Sequence, residues 1–127
     1  MTRQTIQLRQ VMPAVEGVAR LDAALSGYQS YQVLSAALEL RFFDWLSERG
    51  PTARNDVTAI GINGMFTRGF LTALADMGYI TFEENVCANT PIAEELLVST
   101  SPTYQGDLIL AAGRETSSWS HLAATLR

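Results

Sequence analysis

The chain contains no lysine, one cysteine and one histidine among its 127 residues. Its nine positive charges are all arginine, they are scattered along the sequence, and the net charge is -4. Nucleic-acid binders usually show a clustered basic surface, so the charge argues against a DNA or RNA partner. A lone cysteine cannot form an internal disulfide, which favours a reducing, cytoplasmic location. No stretch approaches the ~20 apolar residues of a membrane span, so we expect no membrane partner.

Chemical motifs are equally sparse. No G-x-G sequence is present, and neither a nucleotide nor a methyl-donor cofactor is therefore expected to bind within this chain. His121 lies off the apolar stripe of its predicted helix, where a solvated or interface side chain is commoner than a substrate-facing acid or base. Cys87 in a short strand is more typical of a core residue than of a nucleophile. We predict no catalytic residue and no metal site.

The N-terminal third is apolar at helical spacing. Residues 2–12 are polar and predict an arm that could reach a neighbouring subunit. Pro13 then suits the first turn of a helix, which we expect to end at Ser26 and Gly27. A second, largely buried helix is predicted over residues 31–40, and an aromatic cluster at residues 42–46 extends its core until Gly50 and Pro51 break the chain.

The middle of the chain has helix-turn-helix spacing followed by a hairpin. Thr52 is the expected cap of a short helix that ends at Ile60. The next helix should pack Phe66, Phe70 and Leu74 inward and leave Arg68, Thr72 and Asp76 outside. Residues 79–82 and 86–89 predict the two strands of a hairpin. The fold class is thus mainly α, winged-helix-like, with a small antiparallel hairpin and additional N- and C-terminal helices.

The C-terminal residues predict further helices. One begins at Thr90 and Pro91, another runs from Tyr104 to Gly113, and a last one, capped by Ser117 or Ser118, carries Trp119. This last helix stops at Arg127 without a Gly, a Pro or a polar tail, and we interpret that end as an interruption. The predicted division is an arm and helix for dimerisation at 1–26, a winged-helix-like domain at 27–102 and connecting helices at 103–127.

A winged helix is a common DNA reader, so a DNA-binding regulator is the first alternative. Residues 63–90 span the expected recognition helix and wing. They contain one positive residue, Arg68, and three negative ones, Asp76, Glu83 and Glu84. Phosphate contacts come mostly from Lys and Arg and dominate affinity for DNA. This balance disfavours a DNA-binding regulator.

Five segments together resemble a known family. They are residues 28–46 (YQSYQVLSAALELRFFDWL), 67–80 (TRGFLTALADMGYI), 89–97 (NTPIAEELL), 104–108 (YQGDL) and 119–122 (WSHL). In order and spacing they resemble the N-terminal dimerisation domain of S-adenosylmethionine-dependent O-methyltransferases of the caffeate and hydroxyindole type. The resemblance covers nearly all of residues 27–127.

The resemblance implies a homodimer and a substrate-lid role, with a small-molecule acceptor and S-adenosylmethionine held by a catalytic domain that these residues lack. Both the resemblance and the apolar helix surface indicate a dimer interface formed by Val18, Leu21, Leu25, Tyr28, Tyr31, Leu34 and Leu38, although the same residues could fill the monomer's own core. For the wall of the acceptor pocket it points to Tyr104, Leu108, Ala112 and Trp119. Two other functions stay open: a winged-helix transcription regulator, and a stand-alone module that binds a small ligand or a separate catalytic chain.

Overall fold

The computed structural model describes residues 2–114, 116–117 and 119–127, with side chains from Val15 onward. The chain divides into two compact units, residues 1–32 and residues 33–127. The first unit is helical throughout its described part, and the second holds the remaining helices and a three-stranded sheet.

Helix α1 runs without interruption over Thr2–Glu39. The predicted helix start at Pro13 is therefore wrong, and so is the predicted break at Ser26 and Gly27. Both errors have a physical reason. Residues 2–12 are rich in good helix formers such as Gln, Arg and Leu, and a single glycine inside a helix costs only about 1 kcal/mol. Pro13 removes one backbone hydrogen bond but does not end the helix.

Helix α2, Phe42–Arg49, supplies the aromatic centre of the second unit. Phe42 and Phe43 are fully buried with their rings 5.6 Å apart, and the Phe42 ring meets that of Phe70 edge to face at 5.2 Å. The predicted aromatic cluster is thus confirmed as core. The buried apolar residues around it are Leu34, Ala37, Leu38, Leu46, Val57, Leu71, Leu74, Ile80, Cys87, Ala93, Leu97 and Val98.

A helix-turn-helix follows. Strand β1, Thr52–Ala53, leads into a 3₁₀ helix, Arg54–Ile60, then a second one, Gly64–Phe66, and helix α3, Thr67–Asp76. Thr52 is not the predicted cap: it is a buried strand residue whose hydroxyl donates to the Gly50 carbonyl at 2.8 Å. The outward face of α3 is confirmed, since Arg68, Thr72 and Asp76 are exposed.

Phe66 departs from the predicted inward face because it belongs to the preceding 3₁₀ helix and is 62% exposed. Helical spacing cannot be extended across a change of helix type, since the two helices differ in residues per turn. Phe70 is half-buried and Leu74 fully buried, as predicted.

The predicted hairpin is confirmed as β2, Ile80–Glu83, and β3, Val86–Asn89. Glu84 and Asn85 form its two-residue turn with φ of 52° and 61°, a left-handed pair that matches the twist of hairpin strands. Strand β1 pairs with the other side of β3, so the antiparallel sheet has the order β1-β3-β2 and Cys87 opposes both Thr52 and Phe82. The sequence prediction lacked this third strand.

Three short helices complete the described chain: α4 over Pro91–Leu96, α5 over Gly106–Ala112 and α6 over Leu122–Leu126. Thr90 caps α4 as predicted, because its hydroxyl accepts the Ala93 N–H. Helix α6 begins later than predicted, with His121 as its N-cap and Trp119 in the preceding turn. Ser118, one of the two predicted caps, lies outside the described residues. No helix in the described part of the chain has the length and apolar character needed to cross a membrane.

Candidate functional site

The described part of α1 carries a row of large apolar side chains that face solvent. Val18, Leu21, Leu25 and Tyr28 are between 54% and 73% exposed, and Val15 is 56% exposed. The first four follow one another at spacings of three, four and three, the seam spacing of paired helices. We call these five residues, 15, 18, 21, 25 and 28, the α1 stripe.

The rest of the predicted dimer interface lies further along the same helix and has a different environment. Tyr31 is half-buried, whereas Leu34 and Leu38 are 9% and 6% exposed and belong to the core of the second unit. These two leucines therefore offer little surface to another chain. Of the seven predicted residues, four are thus exposed, two belong to the core, and Tyr31 is intermediate between them.

A cleft of about 410 Å³ lies in the second unit beside Tyr104. Four apolar residues, Leu38, Phe43, Leu97 and Leu110, contribute to its wall. The polar lining consists of Glu39, Arg41, Asp44, Ser99, Tyr104 and Asp107. We call it the Tyr104 cleft. Its volume is within the range of small-molecule sites, which is about 300–1,000 Å³.

Tyr104 is half-buried at the rim of this cleft, and its ring lies against Gly106, where a side chain of any size would overlap the phenol. Burial raises the pKa of the Tyr104 hydroxyl above its ordinary value. The carboxylates of Asp107 and Asp44 raise it further, and the Arg41 guanidinium opposes them. Negative charge therefore prevails around this hydroxyl.

Asp44 lines the cleft and is hydrogen-bonded to Ser99, which also lines it. One carboxylate oxygen accepts the Ser99 N–H at 2.7 Å and the other accepts the Ser99 hydroxyl at 2.7 Å. This contact ties α2 to the segment after α4. A second cleft, of about 420 Å³, shares Arg41, Asp44 and Ser99 with the first.

Arg41 lies between α1 and α2 with φ 57° and ψ 35°, in the left-handed region that favours glycine. Its side chain lines both clefts. The sequence did not predict this left-handed conformation, because the segment ELRFFD contains no Gly or Asn, the residues that usually adopt it. The Asp44–Ser99 contact was also missed, because the two residues are 55 positions apart and carry no local signal.

The four predicted pocket residues do not converge. Tyr104 lines the cleft, but Ala112 is exposed on α5, and Leu108 and Trp119 are 70% and 72% exposed. Leu108, Ala112 and Trp119 do not line the cleft beside Tyr104.

The residues considered as candidates for catalysis or metal binding lie in environments that do not indicate either role. His121 is exposed at the start of α6. Cys87 is fully buried, its thiol donates to the Thr52 carbonyl at 3.4 Å, and burial raises the pKa of that thiol. Cys87 is thus a core residue, as predicted. Among the described residues no three His, Cys, Asp or Glu side chains are grouped so as to hold a metal ion.

The surface that a DNA reader would use is acidic here. Arg68 and Asp76 are exposed on α3, and the hairpin presents Glu83 and Glu84 to solvent. Within residues 63–90 the one positive side chain is therefore outnumbered by three negative ones, which disfavours contact with a phosphate backbone.

Comparison with known proteins gives a consistent result. Residues 23–99 match the family model described as the O-methyltransferase dimerisation domain. Acetylserotonin O-methyltransferase from Bos taurus is 33% identical over 119 residues, an alignment that covers 88% of this chain and 34% of the bovine protein.

Solved structures agree. Human N-acetylserotonin methyltransferase, determined in complex with SAM, superposes with a TM-score of 0.75 at 29% identity and covers 87% of this chain and 34% of the human one. An O-methyltransferase family protein from Burkholderia thailandensis gives a TM-score of 0.73 at 26% identity, with 87% and 33% covered. The chain thus spans about a third of the length of these relatives. With more than half of its residues matched by the family model, the chain belongs to the O-methyltransferase dimerisation domain family.

Proposed function

We propose that this chain joins two copies of a SAM-dependent O-methyltransferase through the α1 stripe. The observation that carries the proposal is the row of exposed Val18, Leu21, Leu25 and Tyr28 in a chain whose family is defined by dimerisation. Large apolar patches on a protein surface usually mark an interface. Two identical stripes related by a two-fold axis bury each other, and the contact closes without further growth.

The energy available in such a contact is substantial. Complete burial of one leucine or valine side chain contributes about 1.5–3 kcal/mol. Five apolar side chains from each of two copies therefore supply enough free energy to offset the loss of translational and rotational freedom on association, about 4–15 kcal/mol. Leu34 and Leu38 are left out of this proposed interface because they already pack in the core.

We further propose that Tyr104, Leu108, Ala112 and Trp119 contribute one wall of the pocket for a small-molecule acceptor. Support comes from their position in the C-terminal part of the chain, from the exposure of Leu108 and Trp119, and from the resemblance of their segments to the family. An exposed tryptophan and leucine are surfaces that a neighbouring domain or a planar ligand can cover.

The residues present do not fit S-adenosylmethionine. Rossmann-like domains hold such cofactors on a glycine-rich loop after a strand, and the sequence contains no G-x-G. The cofactor chemistry of the proposed enzyme is therefore assigned to a catalytic domain outside these residues, and the role proposed for this chain is assembly and acceptor shaping.

Sedimentation equilibrium on the full 127-residue chain tests the dimer. We expect a reversible dimer for the parent chain and a shift toward monomer for the double variant Leu21→Glu/Leu25→Glu. Because a two-fold interface contains each substitution twice, the dissociation constant should rise by at least about a hundredfold.

Met65→Glu is the matched control, since Met65 is 82% exposed but lies on the 3₁₀ helix before α3. That variant should associate like the parent. A parent chain that stays monomeric at the highest accessible concentration would refute the proposed interface.

A DNA-binding role is not favoured despite the helix-turn-helix, because its outward face is acidic. The same samples can be mixed with a labelled duplex at low salt, where electrostatic binding is strongest. We expect no change in fluorescence anisotropy. A stand-alone ligand-binding role is compatible with the Tyr104 cleft.

A further inference from the structure

The α1 stripe is ordered by side-chain size as well as by spacing. Val18 and Leu25 form one row, at the first of the two positions that meet in a pair of packed helices. Leu21 and Tyr28 form the other row, and all four side chains are more than half exposed. The smallest of the four, Val18, lies at one end of this set and the largest, Tyr28, at the other. A second helix that covers these residues must accommodate that change in size.

Two copies of the stripe can pair in two directions. In a parallel pair each residue meets its own copy, so two valines face each other at one end and two tyrosines at the other. In an antiparallel pair Val18 faces Tyr28 of the second copy, and Leu21 faces Leu25. The four antiparallel layers then have similar side-chain volumes, whereas the parallel layers do not. Even layers allow the two helices to keep one separation, about 8–10 Å, along the whole contact.

One flank of the stripe shows the same relation between small and large residues. Gly17, Ala24 and Tyr31 follow one another at intervals of seven residues, beside Leu21 and Tyr28. In the antiparallel arrangement Ala24 approaches its own copy and Gly17 lies across from Tyr31 of the second copy. A Cβ atom at Gly17 would meet no heavy atom within 4 Å, so the space beside it is open to a large ring.

We propose that the α1 helices of two copies pair antiparallel, about a two-fold axis at the level of Ala23. This inference rests on the proposed function, in which the α1 stripe joins two copies, and it names the surface that covers the stripe: the same stripe of the second copy, running in the opposite direction. A two-fold axis perpendicular to the helices buries both stripes equally and closes the assembly at two chains.

Charge gives an independent consequence of this axis. Between residues 15 and 32 the charged side chains are Glu16, Arg20 and Asp22. Asp22 lies on the flank beside Val18 and Leu25, one residue from the level of the axis, so antiparallel pairing brings it near its own copy. Glu16 lies on the opposite side of the helix from the stripe. The two Asp22 carboxylates therefore oppose association of an antiparallel pair, and the apolar contact must outweigh their repulsion.

Oxidative cross-linking of the full 127-residue chain tests the direction of pairing. Val18→Cys and Tyr28→Cys are prepared separately, shown to be dimeric under reducing conditions, and then mixed. A disulfide requires Cα atoms about 4.4–6.8 Å apart, so we expect little covalent dimer from either variant alone and at least about a fivefold higher yield from the mixture. The parent chain controls for Cys87, which is fully buried, and Met65→Cys, at an 82% exposed position outside α1, controls for random collision.

Sedimentation equilibrium on the same samples separates this inference from the proposed function. Dimers that cross-link from each variant alone, with no gain on mixing, would mean parallel pairing and would leave the proposed function intact. Dimers that cross-link in no combination would overturn the pairing of α1 with its own copy. A parent chain that stays monomeric would refute the proposed function, and the pairing with it.

Asp22→Asn tests the same axis without altering the stripe. Loss of the carboxylate should lower the dissociation constant of the dimer roughly two- to fivefold at low salt, the range for exposed charges, and high salt should reduce the difference. Glu16→Gln is the matched control, since it removes one negative charge from the same helix on the side away from the stripe, and it should leave the dissociation constant unchanged. In a parallel pair Asp22 faces Gly17 of the second copy, so equal dissociation constants for Asp22→Asn and the parent would contradict the axis at Ala23.

Discussion

Gly106 shows how one missing side chain positions a neighbouring ring. A Cβ atom at this position would overlap the phenol of Tyr104, which lies against the backbone at the start of α5. Gly106→Ala should therefore displace the ring and lower the free energy of unfolding by about 1–2 kcal/mol, as overpacking does elsewhere. Urea denaturation measures the change.

Gly69 provides the control for that substitution. It is the third residue of α3 and is exposed, and a Cβ atom at this position would meet no heavy atom within 4 Å. Gly69→Ala should raise the free energy of unfolding by roughly 0.5–1 kcal/mol because alanine loses less conformational entropy in a helix. In a Tyr104→Ala background, Gly106→Ala should lose most of its cost; an unchanged cost there would mean that the ring is not the cause.

Single residues also mark the limit of what the sequence predicts. Exposure of Arg68, Thr72 and Asp76 followed from helical spacing, and the burial of Cys87 followed from its apolar strand. The left-handed backbone of Arg41 did not, because its cause is the path of the chain between α1 and α2 rather than the residue itself. Such a conformation costs a non-glycine residue about 1–2 kcal/mol, which the buried Phe42 and Phe43 beside it can offset.

At the scale of elements, the contact between Asp44 and Ser99 joins α2 to the segment that follows α4. Both carboxylate oxygens accept hydrogen bonds of 2.7 Å. Asp44→Asn replaces one acceptor by a donor and should lower the free energy of unfolding by about 1 kcal/mol, since the contact is charge-assisted but solvent-exposed. Thermal denaturation at neutral pH measures this loss.

Asp56→Asn is the corresponding control. Asp56 forms an exposed ion pair with Arg49 at 3.5 Å, with both side chains about half exposed. Pairs of this kind contribute between zero and about 1 kcal/mol, so the control should cost less than Asp44→Asn. If the two variants lost the same free energy of unfolding, the two hydrogen bonds between Asp44 and Ser99 would contribute no more than an exposed ion pair.

Elements were predicted where local chemistry defines them. The hairpin strands, the Thr90 cap and the apolar spacing of α3 each depend on residues within or next to the element they specify. Strand β1 was missed because its two residues are ordered only by pairing with Val86 and Cys87, more than thirty positions away. The length of α1 was not predicted, because Ser26 and Gly27 were expected to end a helix. The helix continues through them, since the neighbouring Ala and Leu residues favour helix and the cost of one glycine is small.

At the scale of the whole molecule, two signals in the sequence were informative for different reasons. The absence of lysine and the acidic wing identified a surface unsuited to phosphate, and this surface is exposed as expected. The ordered segments indicated the family that the comparisons then showed. Neither signal could predict that the α1 stripe is exposed while Leu34 and Leu38 are buried. All of these residues lie on one continuous apolar helix, and only the tertiary structure decides which part of it is covered.

The exposed stripe has a consequence for stability. The first unit is a helix whose described apolar side chains, Val18, Leu21 and Leu25 among them, face solvent, and helices without a packing partner are marginally stable in water. If association covers the stripe, folding of this helix is linked to concentration. The urea midpoint of the parent chain should then rise over a roughly hundredfold increase in concentration.

Leu21→Glu/Leu25→Glu should remove that dependence and lower the helical circular dichroism signal, since α1 would lose its cover while the second unit keeps its own core. Met65→Glu should behave like the parent because Met65 lies outside the stripe. A parent midpoint independent of concentration, with full helical signal in the most dilute sample, would mean that α1 is stable alone and that its exposed leucines serve another contact.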